Sequence, residues 1–145
     1  MRRACRSAAT VLDRLCAMVK PGMNTFEIDE AGGELMKDMG IKSACKGYRS
    51  GHRIFPSYTC LSVNDEVVHG IGVRDKVLRE GDIISVDVCI REDGFIGDNC
   101  RTIPVGNISP EIEKLLRVTE ESLFLGIEQA INKNRVGDVS QAIQN

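Results

Sequence analysis

The sequence predicts an α/β chain of the α+β kind, in which helices cover an antiparallel sheet, and three observations predict it. An amphipathic helical hairpin opens the chain, an Asp-Gly turn joins two β-rich runs in its middle, and a strongly capped helix follows them. At 145 residues, 42% of them hydrophobic, the length suits about one domain with ample material for a core.

Residues 2–19 place Ala4, Ala8, Val11, Leu12, Leu15 and Val19 at steps of three and four, which gathers them on one helical face until Lys20-Pro21-Gly22 stops the run. Asn24 caps a second helix, with Glu27 as the returning carboxylate, and Phe26, Ile28, Ala31, Leu35, Met36 and Met39 carry it to Gly40. Residues 41–58, rich in Gly, Ser, Lys and Arg, read as a loop around a short strand. A strand over 59–63, a turn at Asn64-Asp65 and a second short strand, Val67-Val68, closing at His69-Gly70 follow. Ser109-Pro110-Glu111 starts a helix expected to run to about Lys133, with Ser as cap, Pro at the first helical position and acids in the first turn. Asp138 with Gln141 reads as a fresh cap, and a helix so close to the last residue suggests truncation inside an element.

The middle hairpin is the informative part. Asp93-Gly94 is the strongest short-range signal for a two-residue type I′ turn. With those two residues at the turn, Glu92 faces Phe95 and Asp87 faces Cys100, which makes Asp98 a diagonal neighbour of Asp87. Diagonal residues share a sheet face with Cα atoms about 7–8 Å apart, close enough for two carboxylates to share cations spaced about 3.5–4 Å. Ile84, Val86, Val88 and Ile90 form the opposite, core-facing row. Two acids side by side on a strand pair repel, so the pattern costs stability unless a cation compensates; the plainer alternative is a wet face with unrelated acids.

Composition narrows the function classes. The net charge of −2 and the absence of a basic block argue against specific nucleic-acid binding and against an anionic membrane. No stretch has the length of a membrane span or the layout of a signal peptide, so a soluble cytoplasmic protein is expected. The six cysteines show no C-x-x-C spacing and are expected to be reduced and mostly buried. Cys89 and Cys100 share the face of the aspartates. Two carboxylates are too few donors for a metal pair, and His52 and His69 are the only histidines. His52 reads as an ordinary exposed side chain, while His69 is singled out by Gly70, which would let the backbone approach a ligand. The chain therefore predicts half a cavity.

Val19-Lys-Pro-Gly22, Gly47-Tyr48, Cys60-Leu-Ser-Val-Asn64, Val68-His-Gly-Ile71, Glu80-Gly-Asp-Ile83, Val86-Asp-Val88, Asp93-Gly-Phe95 and Gly97-Asp98, in this order, resemble type I methionine aminopeptidases. The resemblance implies a pita-bread fold, whose two similar α/β halves carry a metal pair on a central sheet. Residues 1–145 would be the N-terminal half of that metallo-aminopeptidase catalytic domain, an antiparallel curved sheet covered by helices, truncated at both ends and lacking the C-terminal half. Carried over by position, Asp87 looks like the bidentate ligand of one metal and Asp98 like the carboxylate bridging both. His69 looks like the histidine that hydrogen-bonds the substrate backbone near the scissile amide. Cys45, Tyr48, Phe55 and Cys60 fall where the family builds its methionine pocket, and Asn64 where a main-chain carbonyl helps hold a monovalent cation.

The implied cofactors are two divalent ions drawn from Co, Mn, Fe or Zn, and one monovalent cation. The implied partners are N-terminal Met peptides of nascent proteins, and the ribosome, with the parent a monomer. A histidine and two glutamates of the family's ligand set are absent, so the chain alone is expected to be inactive. Three departures stand out: Gly72 replaces the usual Pro, Asn99 the usual Thr, and the loop 49–53 is longer than usual. A non-catalytic pita-bread-fold binding module is the alternative, and a hairpin-centred homodimer a third possibility.

Overall fold

The computed structural model describes residues 1–145, which divide into two compact units, Met1–Ile108 and Ser109–Asn145. The first unit contains helices α1 (Arg2–Met18) and α2 (Thr25–Asp38), followed by strands β1 (Lys42–Ser43), β2 (Arg49–Ser50), β3 (Arg53–Ile54), β4 (Cys60–Val63), β5 (Ile83–Glu92) and β6 (Phe95–Pro104). The second contains α3 (Pro110–Gln129) and α4 (Val136–Gln144).

β5 organises the sheet. It pairs antiparallel with β6 from Ile83↔Pro104 to Glu92↔Phe95 without a bulge, and both turn residues, Asp93 at φ 50° and Gly94 at φ 80°, take the positive φ that a type I′ turn requires. Because β6 occupies one edge of β5 throughout, β4 (on Ile84–Asp87) and β1 (on Ile90–Arg91) share the other. The separate two-residue pair β2–β3 sits in the segment expected to be a loop around one strand.

Alternation along β5 sends Ile84, Val86, Val88 and Ile90 into a core where each is 0% exposed. They pack with Ala4, Ala8, Val11, Leu12 and Leu15 of α1 and with Ile28 and Met36 of α2. Full burial of such side chains contributes roughly 1.5–3 kcal/mol each, which fixes the register against a one-residue slip. Gly97 of β6 lies against the Ala4 main chain, where a Cβ would overlap the carbonyl. The hairpin tip is tied to α1 as well: Glu92 accepts from Ser7 Oγ at 2.7 Å and pairs with Arg3 Nε at 2.6 Å. The capping box of α2 forms as read, with Glu27 N donating to Asn24 Oδ1 and Asn24 N donating to Glu27 Oε2, each at 3.0 Å.

Five expectations need correction. The cysteines are not mostly buried: Cys60 is buried, Cys16, Cys45 and Cys89 are half-buried, and Cys5 and Cys100 are exposed. Val67-Val68 is not a strand, since both side chains are exposed and the main chain there joins no ladder; His69 therefore closes no strand. Gly70 serves packing and not ligand approach: its carbonyl accepts from Leu61 N at 2.8 Å, and any Cβ would strike the Leu61 main chain. α3 stops at Gln129, short of Lys133, where the Asn134 side chain donates to the Gln129 carbonyl at 3.0 Å. Asp138 is the third residue of α4 and not its cap; it accepts from Arg135 N at 2.7 Å, so the capping residue is Arg135. Within the second unit, Gly126 of α3 gives room for Ile143 and Val139 of α4.

Candidate functional site

The face of β5 turned away from the core carries Ser85, Asp87, Cys89 and Arg91 in alternation. Register places Cys60, Asp87 and Cys100 in one row across three strands, and Cys89 with Asp98 in the next. Asp98 is thus diagonal to Asp87, and both open into a groove of about 940 Å³. His69, Cys45, Tyr48, Phe55 and Cys60 line the same groove, so seven of the eight singled-out residues come together. The eighth, Asn64, lies outside it, at φ 54°, with its side chain donating to Asp82 Oδ1 at 2.9 Å and accepting from Ile83 N at 3.0 Å. His52 is exposed and does not line the groove.

Burial pushes the Asp87 carboxyl above its usual value, and the Asp98 carboxyl adds to this by repulsion and by offering to share a proton. The same two causes, burial first and then the carboxylates, push the thiols up, Cys89 to about 12 and Cys100 to about 11. Cys60 is raised because its thiol bonds to Cys45 and is buried, and Cys45 is lowered by that same bond. Asp87, Cys60, Cys89 and Cys100 are thus held toward their neutral forms, by burial and by negative charge concentrated on one wall.

A divalent cation fits this donor set in kind. Two oxygen-bearing carboxylates on one cavity wall are hard donors, and their mutual repulsion is what a cation would relieve. The set is incomplete in number, since no group of three or more His, Cys, Asp or Glu side chains is placed to hold a metal.

Sequence reading missed the residues that hold the wall in place. Asp29, 3% exposed on α2, accepts from Thr59 N at 2.8 Å, from Thr59 Oγ1 at 2.9 Å and from Tyr58 N at 3.2 Å, which fixes the approach to Cys60. Ser62 Oγ accepts from Gly70 N at 3.1 Å and Ser57 Oγ from Gly72 N at 3.0 Å, so the stretch around His69, itself at φ 59°, is stapled to β4 and its lead-in. A proline at position 72 could not make that second bond. The only signal for Asp29 was an acid on the apolar side of α2. Arg91, which also lines the groove, was accessible from the alternation that placed Asp87 and Cys89.

Known proteins resemble this chain over nearly its whole length. It is 45% identical over 144 residues to methionine aminopeptidase A of Synechocystis, covering 99% of this chain and 55% of that protein. Methionine aminopeptidase 1 of Bacillus subtilis is 42% identical over 144 residues, with 99% and 56% covered. The crystal structure of the Thermotoga maritima methionine aminopeptidase superposes with a TM-score of 0.90 at 37% identity, over 99% of this chain and 56% of that one. The fold is accordingly the mixed α/β, antiparallel-sheet arrangement of the pita-bread enzymes, and the chain spans about half the length of the relatives it matches. The family model for metallopeptidase family M24 matches residues 1–145. With a carboxylate pair, a histidine and a thiol-lined groove set on that fold, the chain belongs to metallopeptidase family M24.

Proposed function

We propose that the whole protein is a metal-dependent methionine aminopeptidase that removes the N-terminal methionine from nascent proteins, and that residues 1–145 supply one wall of its site as the N-terminal half of the catalytic domain. The observation that carries this reading is the diagonal placement of Asp87 and Asp98 in one groove. Asp87 and Asp98 would hold two divalent ions, of Co, Mn, Fe or Zn according to supply. When bound, such ions acidify water and polarise a carbonyl.

The chain's own residues bind and orient. Cys45, Tyr48, Phe55 and Cys60 offer sulfur and ring surface to a thioether side chain. His69, which is exposed and lines the groove, would hydrogen-bond the substrate main chain. The Asn64 side-chain oxygen already accepts from Ile83 N, which leaves its main-chain carbonyl for a monovalent cation. No helix is long and apolar enough to cross a membrane. We infer further that the whole protein works as a monomer in the cytoplasm on peptides as they leave the ribosome, with no specific nucleic acid and no membrane among its partners.

The test is turnover of Met-Ala-Ser by the whole protein with Co or Mn, beside Asp98→Asn. Hydrolysis lost in Asp98→Asn is the expected result. Absence of hydrolysis with every metal, or turnover unaffected by Asp98→Asn, would sink the enzyme reading, and peptide binding without turnover would favour a non-catalytic binding module.

A further inference from the structure

No acid occurs from Gly40 to Asn64, while Lys42, Lys46, Arg49 and Arg53 bring four positive charges to that segment in a chain of net charge −2. The fold carries part of this charge to the groove. Arg53 of β3 lines it, and so does Arg91 of β5, both exposed. Arg91 shares the face of Asp87 and lies four residues along the same strand, roughly 13 Å away at the usual strand rise.

A second observation points to an anionic ligand. Lys42 stands directly opposite Arg91 in the β1–β5 pairing. Like charges facing each other across a strand pair are destabilising. The ion pairs of the chain are Arg3 with Glu92 and Asp93, Lys76 with Glu66, Arg101 with Asp13, and Arg117 with Glu121; none takes Lys42, Arg53 or Arg91. Two cations, Arg53 and Arg91, thus line a peptide-sized groove without an ion-pair partner, and a third, Lys42, stands across the strand pair from Arg91.

We propose that this rim selects among substrates: side chains following the released residue lie along Arg53, Arg91 and Lys42, so that Asp and Glu are favoured there and Lys and Arg disfavoured. The proposal rests on the aminopeptidase reading and deepens it by naming a substrate class. An extended peptide advances about 3.4 Å per residue, so the rim reaches side chains up to about four residues beyond a bond held at Asp87 and Asp98. The charge is local to a concave site in an acidic chain, which suits a short acidic peptide better than a nucleic acid needing a broad basic face.

The experiment uses the whole protein with Mn and three peptides, Met-Ala-Ser followed by Asp-Asp, Ser-Ser or Lys-Lys. Turnover is followed at low and high salt, and binding by anisotropy of a label at the peptide's C-terminus. Exposed ion pairs of this number predict a kcat/KM about five- to tenfold higher for the acidic peptide than for the basic one. The ratio should fall toward one in R53Q/R91Q, and in the unaltered protein when salt is added. If no peptide turns over yet the acidic one binds more tightly and loses that advantage in R53Q/R91Q, the rim stands and the aminopeptidase reading falls. Equal turnover and equal binding of the three peptides would overturn the rim, as would tighter binding of a labelled RNA oligonucleotide than of the acidic peptide.

Discussion

Asp98 sits diagonally across the β5–β6 ladder from Asp87, because Cys89 stands opposite the first and Cys100 opposite the second. A strand pair gains little from that arrangement: neither residue favours β structure and the two charges repel. The burden is carried on the reverse face, where Ile84, Val86, Val88 and Ile90 are fully buried under α1 and α2. The hairpin is thus stable on one side and electrostatically loaded on the other, a load that the cations proposed above would relieve.

The load should be measurable as a pH dependence of stability in the metal-free chain. Folding raises the Asp87 carboxyl, by burial first and by Asp98 second, so folding favours its protonated form. Its stabilising contribution is fully present below the unfolded carboxylate value of about 4 and is lost as pH rises through the raised folded value. Asp87→Asn should remove that part of the slope and stabilise the metal-free chain at neutral pH by roughly 0.5–1 kcal/mol, a figure kept small because solvent screens a half-exposed pair. Urea unfolding in chelator at acid and neutral pH checks this. An unchanged slope in Asp87→Asn would assign it to other groups.

Metal uptake provides the complementary measurement. Two carboxylates without a third donor should give the 145-residue chain only weak, non-stoichiometric binding of cobalt or manganese in calorimetry, and Asp87→Asn or Asp98→Asn should abolish it. Tight one-to-one or two-to-one uptake by the chain would show that its own residues complete the shell.

Asp29 should matter for the wall more than its distance from the aspartates suggests. Asp29→Ala strips the acceptor from Tyr58 N, Thr59 N and Thr59 Oγ1 in a buried place. Orphaned donors of this kind predict a loss of about 3 kcal/mol or more, with Asp29→Asn milder because its amide oxygen still accepts. Hydrogen exchange at the Thr59 amide should rise in Asp29→Ala beyond the global loss of stability. Exchange that tracks global stability alone would show that Thr59 is held by the sheet instead.

Legibility in the sequence followed how local each determinant was. The turn at Asp93-Gly94 sets the register of twenty residues by itself, so the faces of Asp87, Asp98, Cys89 and Cys100 could be read before any coordinates. The capping box at Asn24 and Glu27 spans four residues and was equally plain. What escaped was non-local. Val67-Val68 has β-branched residues without a partner strand, since Leu61 donates a single main-chain bond to that side, from its N to the Gly70 carbonyl. Asp29 acts across thirty residues on Thr59, and no periodicity marks such a bond. Arg91 followed from the alternation of β5, whereas Arg53 lay in a stretch read as loop and only the fold sets it along the same groove. The end of α3 was overextended because Asn134 reaches back to Gln129 from beyond the helix.

Two glycines of the hairpin should fail for different reasons when substituted. Gly97 has no unusual φ, yet a Cβ there would overlap the Ala4 carbonyl and come within 2.9 Å of Cys5 N, so Gly97→Ala must push α1 away from β6. Overpacking of this sort costs about 1–3 kcal/mol, and trimming a side chain on α1 cannot relieve it because the obstacle is backbone. Gly94 meets nothing within 4 Å, but its φ of 80° disfavours any side chain, so Gly94→Ala should cost about 1 kcal/mol through the turn alone. Gly94→Asn should recover part of that loss, since Asn tolerates the left-handed region, whereas Gly97→Asn should be worse than Gly97→Ala. Thermal unfolding of the four variants separates the two causes. A Gly97→Ala chain as stable as the parent would mean that helix and hairpin are less closely seated than the contact between Gly97 and Ala4 requires.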